Sequence, residues 1–291
     1  MRAGSGYQCN GLWQDFRGFC LRKALPIEYF AQLHNQLDSR YHRPRHGFVN
    51  SKIIKRVAAA VGDAGASGLI GSDYVSKQPA DGYNILVSHA SVHVYATATR
   101  RTIPFDPVND FTHMGMLVEA PMVLLVRAAS PFTTLEHYVN AAKTKPVRYG
   151  SSGIGSANHL FGELLKIESK APQHDHASHQ GSAPAMQDLL GDSIDSLLDA
   201  ITTNVGQLKG GSLRALAVST PSRLPALANI PAFAALGYPK LTGWQWLGLS
   251  APKNLPAPIV QRLTALIPEI FAKPDFAARL EELQTCRAEL P

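Results

Sequence analysis

The stretch Val147-Arg148-Tyr149-Gly150-Ser151-Ser152-Gly153-Ile154-Gly155-Ser156-Ala157-Asn158-His159-Leu160 constrains this chain more than any other. A short strand runs through small residues and opens a helix, with Leu160, Leu164 and Ile167 falling on one face. Free N–H groups and the dipole at a helix start favour negative charge, and Ser151, Ser152 and Ser156 add hydroxyls. Such a contact is worth about 0.3–1 kcal/mol when exposed and about 2 when partly buried. With no Lys, Asp or Glu in the loop to do chemistry, it reads as a grip for a carboxylate. A helix N-cap that holds no ligand is the plainer alternative.

Three rival motifs fail on spacing. A phosphate-binding Walker loop needs Gly-Lys-Ser/Thr, and no Lys follows Gly155. A dinucleotide fingerprint needs a third Gly where Asn158 stands. A nucleophile elbow needs Gly on both sides of a Ser, and Ile154 occupies the second place.

Charge separates the chain into two parts. It carries 28 Lys and Arg against 22 Asp and Glu. Residues 1–56 hold ten of the basic groups and only Asp15, Glu28 and Asp38, a net of +7, so the remainder is close to neutral at −1. Any nucleic-acid role would therefore sit in the first segment, where Gly4, Gly6, Gly11, Gly18 and Pro26 break a helix-turn-helix pattern. Cys9, Cys20 and Cys286 form no metal spacing. No apolar run approaches the ~20 residues of a membrane span, and residues 3–20 contain no apolar core of an export signal.

From about residue 57 the pattern alternates. Short helices are expected after Gly68, over 135–142, 186–190 and 205–208, and longer helical spacing over 259–271 and 276–283. Strands are expected over 84–88, 122–126, 147–150, 194–199 and 214–219. This order predicts an α/β architecture with mainly parallel sheets.

Several motifs then occur in a telling order: Gly65-Ala66-Ser67-Gly68, Pro79-Ala80-Asp81-Gly82-Tyr83, Pro104 to Phe111, Tyr149 to Gly153, Gly181-Ser182-Ala183-Pro184-Ala185, Arg214 to Ser219 and Ala251 to Val260. In these the chain resembles the substrate-binding receptors of tripartite tricarboxylate transporters, also called Bug or TctC-like receptors, over roughly residues 63–285. The resemblance implies a two-lobed periplasmic binding protein fold of the second type, with a hinge of two crossover strands near Met116–Leu117 and Ser219–Pro221. It implies lobe 1 at 57–114 plus 220–291 and lobe 2 at 115–219. It further implies a monomer that binds a small carboxylate, works with membrane components of the transporter in the periplasm, and has no catalysis, cofactor or metal.

The ligand residues implied by the match are Ser151, Ser152, Gly153 and Ser156 in the loop and Asp199, which in some relatives receives an amino or hydroxyl group. Asp199 also fits as a cap for the helix after Ile201. Ser88 and Ser91 end a strand at the implied cleft, or are ordinary turn hydroxyls. His89 and His93 have the i, i+4 spacing of a metal pair. His174, His176 and His179 read as solvated loop histidines, and Trp244 and Trp246 as one face of a strand.

The departures are equally specific. Relatives read His-Val-Pro-Tyr-Lys/Arg-Gly where this chain has His176-Ala177-Ser178-His179-Gln180-Gly181. The family's first strand and ligand loop are not legible in residues 1–56, and relatives continue beyond Leu283 into a final helix. The expectation is an incomplete first lobe and a segment 1–56 outside the fold, from a reading frame that starts in the wrong place or frame. Two other functions fit parts of the pattern: a transcription regulator with a two-lobed effector domain, and a serine hydrolase using Ser151 or Ser152 with a histidine.

Overall fold

The computed structural model describes residues 68–224, 227–283 and 286–287; the expectations for segment 1–56 lie outside them. In chain order the elements are α1 (Leu69–Ser76), β1 (Leu86–His89), a wide π turn (Ser91–Tyr95) continued by α2 (Ala96–Thr99), β2 (Phe111–Arg127), α3 (Leu135–Ala142), β3 (Val147–Ser151) and α4 (Ala157–Ser169). There follow β4 (His174–Ser178), α5 (Ser182–Leu190), β5 (Ser196–Ala200), α6 (Val205–Lys209), β6 (Leu213–Val218), β7 (Trp244–Pro252), α7 (Ala257–Phe271), α8 (Pro274–Glu282) and β8 (Cys286–Arg287). The strand path is β1-β7-β2-β5-β3-β4, with β6 and β8 also paired to β2.

The elements follow the sequence pattern, but the pairing corrects one expectation. Parallel neighbours occur only where a helix carries the chain back, at β3–β4 and β3–β5. All other strand pairs among the described residues are antiparallel: β1–β7, β2–β5, β2–β6, β2–β7 and β2–β8. The reason is β2, a 17-residue strand shared by a first sheet, with β1, β7 and β8, and a second sheet, with β3, β4, β5 and β6. Its first part lies against β7 as far as Pro121–Trp244. From Met122 and Val123 it pairs instead with β5 and β6. Pro121 donates no N–H to a ladder, so the strand changes partners where a ladder bond is missing anyway. Register shifts between His113 and Gly115 and between Met116 and Val118 bend the strand before it crosses.

Alternation along β2 divides the second core. Leu124 and Val126 face one cluster with Leu135, Tyr138, Tyr149, Leu165, Phe233 and Leu241. Val123 and Leu125 face the other, with Ala185, Leu189, Leu197 and Ile201. Both faces are thus covered by helices, which is why Met122–Val126 reads as an unbroken apolar run. Each of these fully buried side chains contributes about 1.5–3 kcal/mol. The first sheet is covered likewise. Leu69, Val75, Leu86, Phe105 and Phe111 pack together, and Val87, Val118, Leu247, Ile267 and Phe271 form a separate cluster with Trp246 against it. Trp244 and Trp246 are both half-buried at period two on β7, as the sequence implied.

The two sheets are tied together at one node. Ser219 N–H donates to Met122 O, and Gly243 N–H donates to Ser219 O. Met122 N–H donates back to Ser219 Oγ, and that hydroxyl donates to Gly243 O.

Candidate functional site

Three groups of the expected residues meet at the start of α4. Ser151 ends β3 fully buried, and the loop then turns through Gly153 at φ 138° and Gly155 at φ 80°, a region that only Gly enters freely. Ser156 is the N-cap, its hydroxyl accepting the His159 N–H at 3.2 Å. Ser91 comes from the other sheet: its Oγ accepts the Ala157 N–H at 3.2 Å. A Cβ placed on Gly155 would lie 3.3 Å from Thr99 Oγ1 of α2, so the loop touches the first sheet's helical segment there too. The loop is braced from behind, where His179 N–H donates to Ser151 O and Gly181 N–H to Ser152 O. Ser152 itself is half-buried, and Ile154 at the apex is 67 % exposed.

Asp199 ends β5 beneath this loop and is 3 % exposed. Asn158 Nδ2 (2.8 Å) and Ser182 Oγ (3.0 Å) donate to Oδ1, while Thr203 Oγ1 (2.8 Å) and Asn204 Nδ2 (3.1 Å) donate to Oδ2. Burial pushes its pKa up, and the bonds from Thr203, Asn204 and Ser182 pull it back down. The carboxylate therefore draws the starts of α4 and α5 and the turn before α6 to one point. For a ligand to reach it, one of four donors must give way. Close by in sequence, Thr202 Oγ1 and Asn204 Oδ1 are buried with no partner among the described residues.

Ser88 stands apart from the loop. Its Oγ lies 2.6 Å from Ser250 Oγ, which is 2.8 Å from His113 Nδ1, and His113 Nε2 reaches Pro107 O at 3.0 Å. His89 and His93 are buried on β1 and in the π turn, and no group of three metal-binding side chains occurs among the described residues. The His89 pKa is lowered to about 3 by burial.

The solvated-loop reading of the later histidines is corrected: His174 and His176 are on strand β4. His174 is buried, bonded to the Tyr138 hydroxyl at 2.7 Å and stacked on Tyr149 with ring centres 4.3 Å apart. Desolvation lowers its pKa to about 3. His176 Nε2 lies 2.6 Å from Ser151 Oγ, and its ring is 4.1 Å from that of His159. His179 bonds Asp188 at 2.9 Å and covers Gly150.

The model of the tripartite tricarboxylate transporter family receptor matches residues 51–285. The chain belongs to that family. Among curated relatives of this chain, a UPF0065 protein from the tcbD–tcbE intergenic region of a Pseudomonas species is 33% identical over 223 residues, 76% of this chain and 66% of that one. The chain thus spans about two thirds of that relative's length. Among solved structures, the R. palustris protein Rpa4515 with adipate is 27% identical at a TM-score of 0.74, covering 85% of this chain and 87% of that one. MatC from Rhodopseudomonas palustris, with bound malate, is 25% identical at a TM-score of 0.72, covering 83% and 86%. The chain has the two-lobed periplasmic binding protein fold: the solved periplasmic binding protein BugD is 28% identical at a TM-score of 0.73, covering 81% of this chain and 82% of that one. Among its described residues no helix is long and apolar enough to cross a membrane.

Sequence reading missed the residues that hold Asp199, namely Asn158, Ser182, Thr203 and Asn204. The signal was present as polar residues at successive helix starts, but only spatial convergence shows that they share one acceptor. It also missed His159 and His176, since β4 carries too few apolar residues to be recognised as a strand.

Proposed function

We propose that this chain is an extracytoplasmic receptor that binds a small carboxylate between two lobes and hands it to the membrane components of a tripartite transporter. The observation that carries this reading is the Ser91–Ala157 contact: the helix start that suits an anion lies at the face where the two sheets meet. The seat is formed by Ser151, Ser152, Gly153 and Ser156 with Ser91 opposite. Asp199 sits beneath it as the group that gathers the helix starts, and Ser88 stays with Ser250 outside it. The first lobe holds β1, β7, α7 and α8, and the second runs from Met122 to Ser219. The second also takes in the segment through Leu241, because Phe233 and Leu241 pack with Leu124 and Tyr149. The hinge is then the Met122–Ser219–Gly243 node. Family membership supports a periplasmic location and a non-catalytic role; the chain works as a monomer and needs neither cofactor nor metal.

Adipate and malate, bound by the two structural relatives, are the first ligands to try. Titration followed by amide chemical shifts is expected to move Gly150–Ala157 and Ser91 together. If neither acid moves those amides at tens of millimolar, where even a weak site of about −4 kcal/mol fills, the seat is misassigned.

The Ser151–His176 contact also invites the hydrolase reading. Ser151 is fully buried, however, and its hydroxyl donates to Gly153 O at 3.3 Å and accepts the Gly153 N–H at 3.2 Å. It braces the loop instead of facing a substrate carbonyl.

A further inference from the structure

Two histidines flank the seat, and their contacts are with the loop itself. His159 Nδ1 accepts the Gly155 N–H at 3.2 Å, one of the backbone donors that a loop of this kind turns toward an anion. In that arrangement His159 is neutral and carries its proton on Nε2. His176 packs against the same ring and holds Ser151. Resting on the receptor reading above, we propose that His159 and His176 are the titratable half of the carboxylate seat: an entering carboxylate takes the Gly155 N–H from His159 Nδ1, and the freed nitrogen takes up one proton from solvent. Binding thus gains a backbone donor and a positive charge in one step.

The surroundings fit a pair poised in this way. Both rings are neutral at rest because burial disfavours their charged forms, most strongly at His176, where the pKa falls to about 4. Each lowers the other's readiness to charge, since the centres are 4.1 Å apart, so the pair takes a single proton. Glu163 on α4 favours that proton on both rings, and the Tyr149 hydroxyl from β3 donates to Glu163 at 2.7 Å. His179, beyond β4, opposes charge on His176. The buried His174, one layer further along β4, is kept neutral by desolvation, and Lys166 on α4 and His176 itself both oppose charge on it. An anion in the loop adds the favourable charge that is missing at rest.

The sign follows from linkage. The free protein titrates below the ordinary imidazole value near 6.5 and the complex above its own free value. Between the two, affinity rises as pH falls, by up to about tenfold per pH unit. Below the free value the proton is already present and the dependence ends.

Calorimetric titration of the full chain with malate and with adipate, from about pH 6 to 7.5 where carboxyl groups of ordinary pKa are ionised, in buffers of different ionisation enthalpy, reads the proton directly. Uptake of up to about one proton per ligand is expected. His159→Asn keeps an acceptor near the Nδ1 position but cannot charge, and should bind more weakly with uptake abolished. Ring-nitrogen shifts of His159 in the unaltered protein give the same answer without a variant: Nδ1 should pass from bare to protonated on saturation. Binding with no proton taken up, or uptake retained in His159→Asn, overturns the inference and leaves the receptor reading intact. No binding of either acid at any pH overturns both.

Discussion

At the scale of single residues, Asp199 shows how a binding position and a structural position become the same side chain. The sequence left two readings open, a ligand acceptor or a cap. The four donors around it establish a third job, a knot between helix starts. Asp199→Asn puts an amide against donors where an acceptor stood, and Asn204 cannot reverse role without losing its bond to Ala200 O. A loss of about 3–6 kcal/mol is expected, from two buried charge-assisted bonds. Chemical denaturation measures it, and an unchanged midpoint would show that the knot rearranges freely. None of the four donors was legible, because each lies on a different element and only the fold makes them neighbours.

At the scale of elements, β3 and α4 were the most legible part of the chain. The Ser N-cap and the small-residue turn agree with Val147–Ser151 and Ala157–Ser169 as found, but the expected apolar face does not: the helix buries Ala157, Asn158, Gly162, Leu165 and Ser169, and Ile167 is 68 % exposed. What the pattern hides is how closely the helix sits on the strand. A Cβ on Gly162 would come within 2.1 Å of the Tyr149 ring. Gly162→Ala in an exposed helix would stabilise by about 1 kcal/mol. Here the ring is pinned between His174 and the Glu163 carboxylate, so the helix must lift instead. A net destabilisation of about 1–3 kcal/mol is expected from overpacking. A thermal midpoint above that of the parent protein would contradict it. The reversed sign relative to helix propensity is the useful signature, since few other positions in α4 should show it.

At the scale of the whole molecule, the α/β class was legible and the strand directions were not. Element order says what alternates with what, whereas antiparallel pairing depends on β2 crossing between sheets, which no local pattern records. A global consequence of burial is acid sensitivity. His89 and His174 both have folded-state pKa values lowered to about 3 by burial. A depressed histidine stabilises the neutral state, so stability is full above the unfolded value near 6.5 and is lost as pH falls toward about 3. Each ring contributes a slope of about 1.4 kcal/mol per pH unit in that window. Denaturant midpoints across it should fall steeply, and His89→Leu, which removes a ring with no hydrogen-bond partner among the described residues, should reduce the slope by about 1.4 kcal/mol per pH unit, one ring's share. Equal slopes in both proteins would mean that His89 opens to water before it charges.

The strand path also bears on the order in which the molecule can be made. β7 lies between β1 and β2, yet it follows both by more than a hundred residues, with Leu86 paired to Ser250 and Phe111 to Pro252. While the chain emerges, β1 and the first half of β2 have no strand partner among the described residues until β7 arrives, and the second sheet can close long before the first. The first sheet is therefore completed by a late, sequence-distant insertion, the kind of contact that slows folding. Until that insertion, two apolar edges stay open at once. A chain built this way remains threadable and aggregation-prone over the same interval, and its dependence on holding factors should end when residues 244–252 arrive.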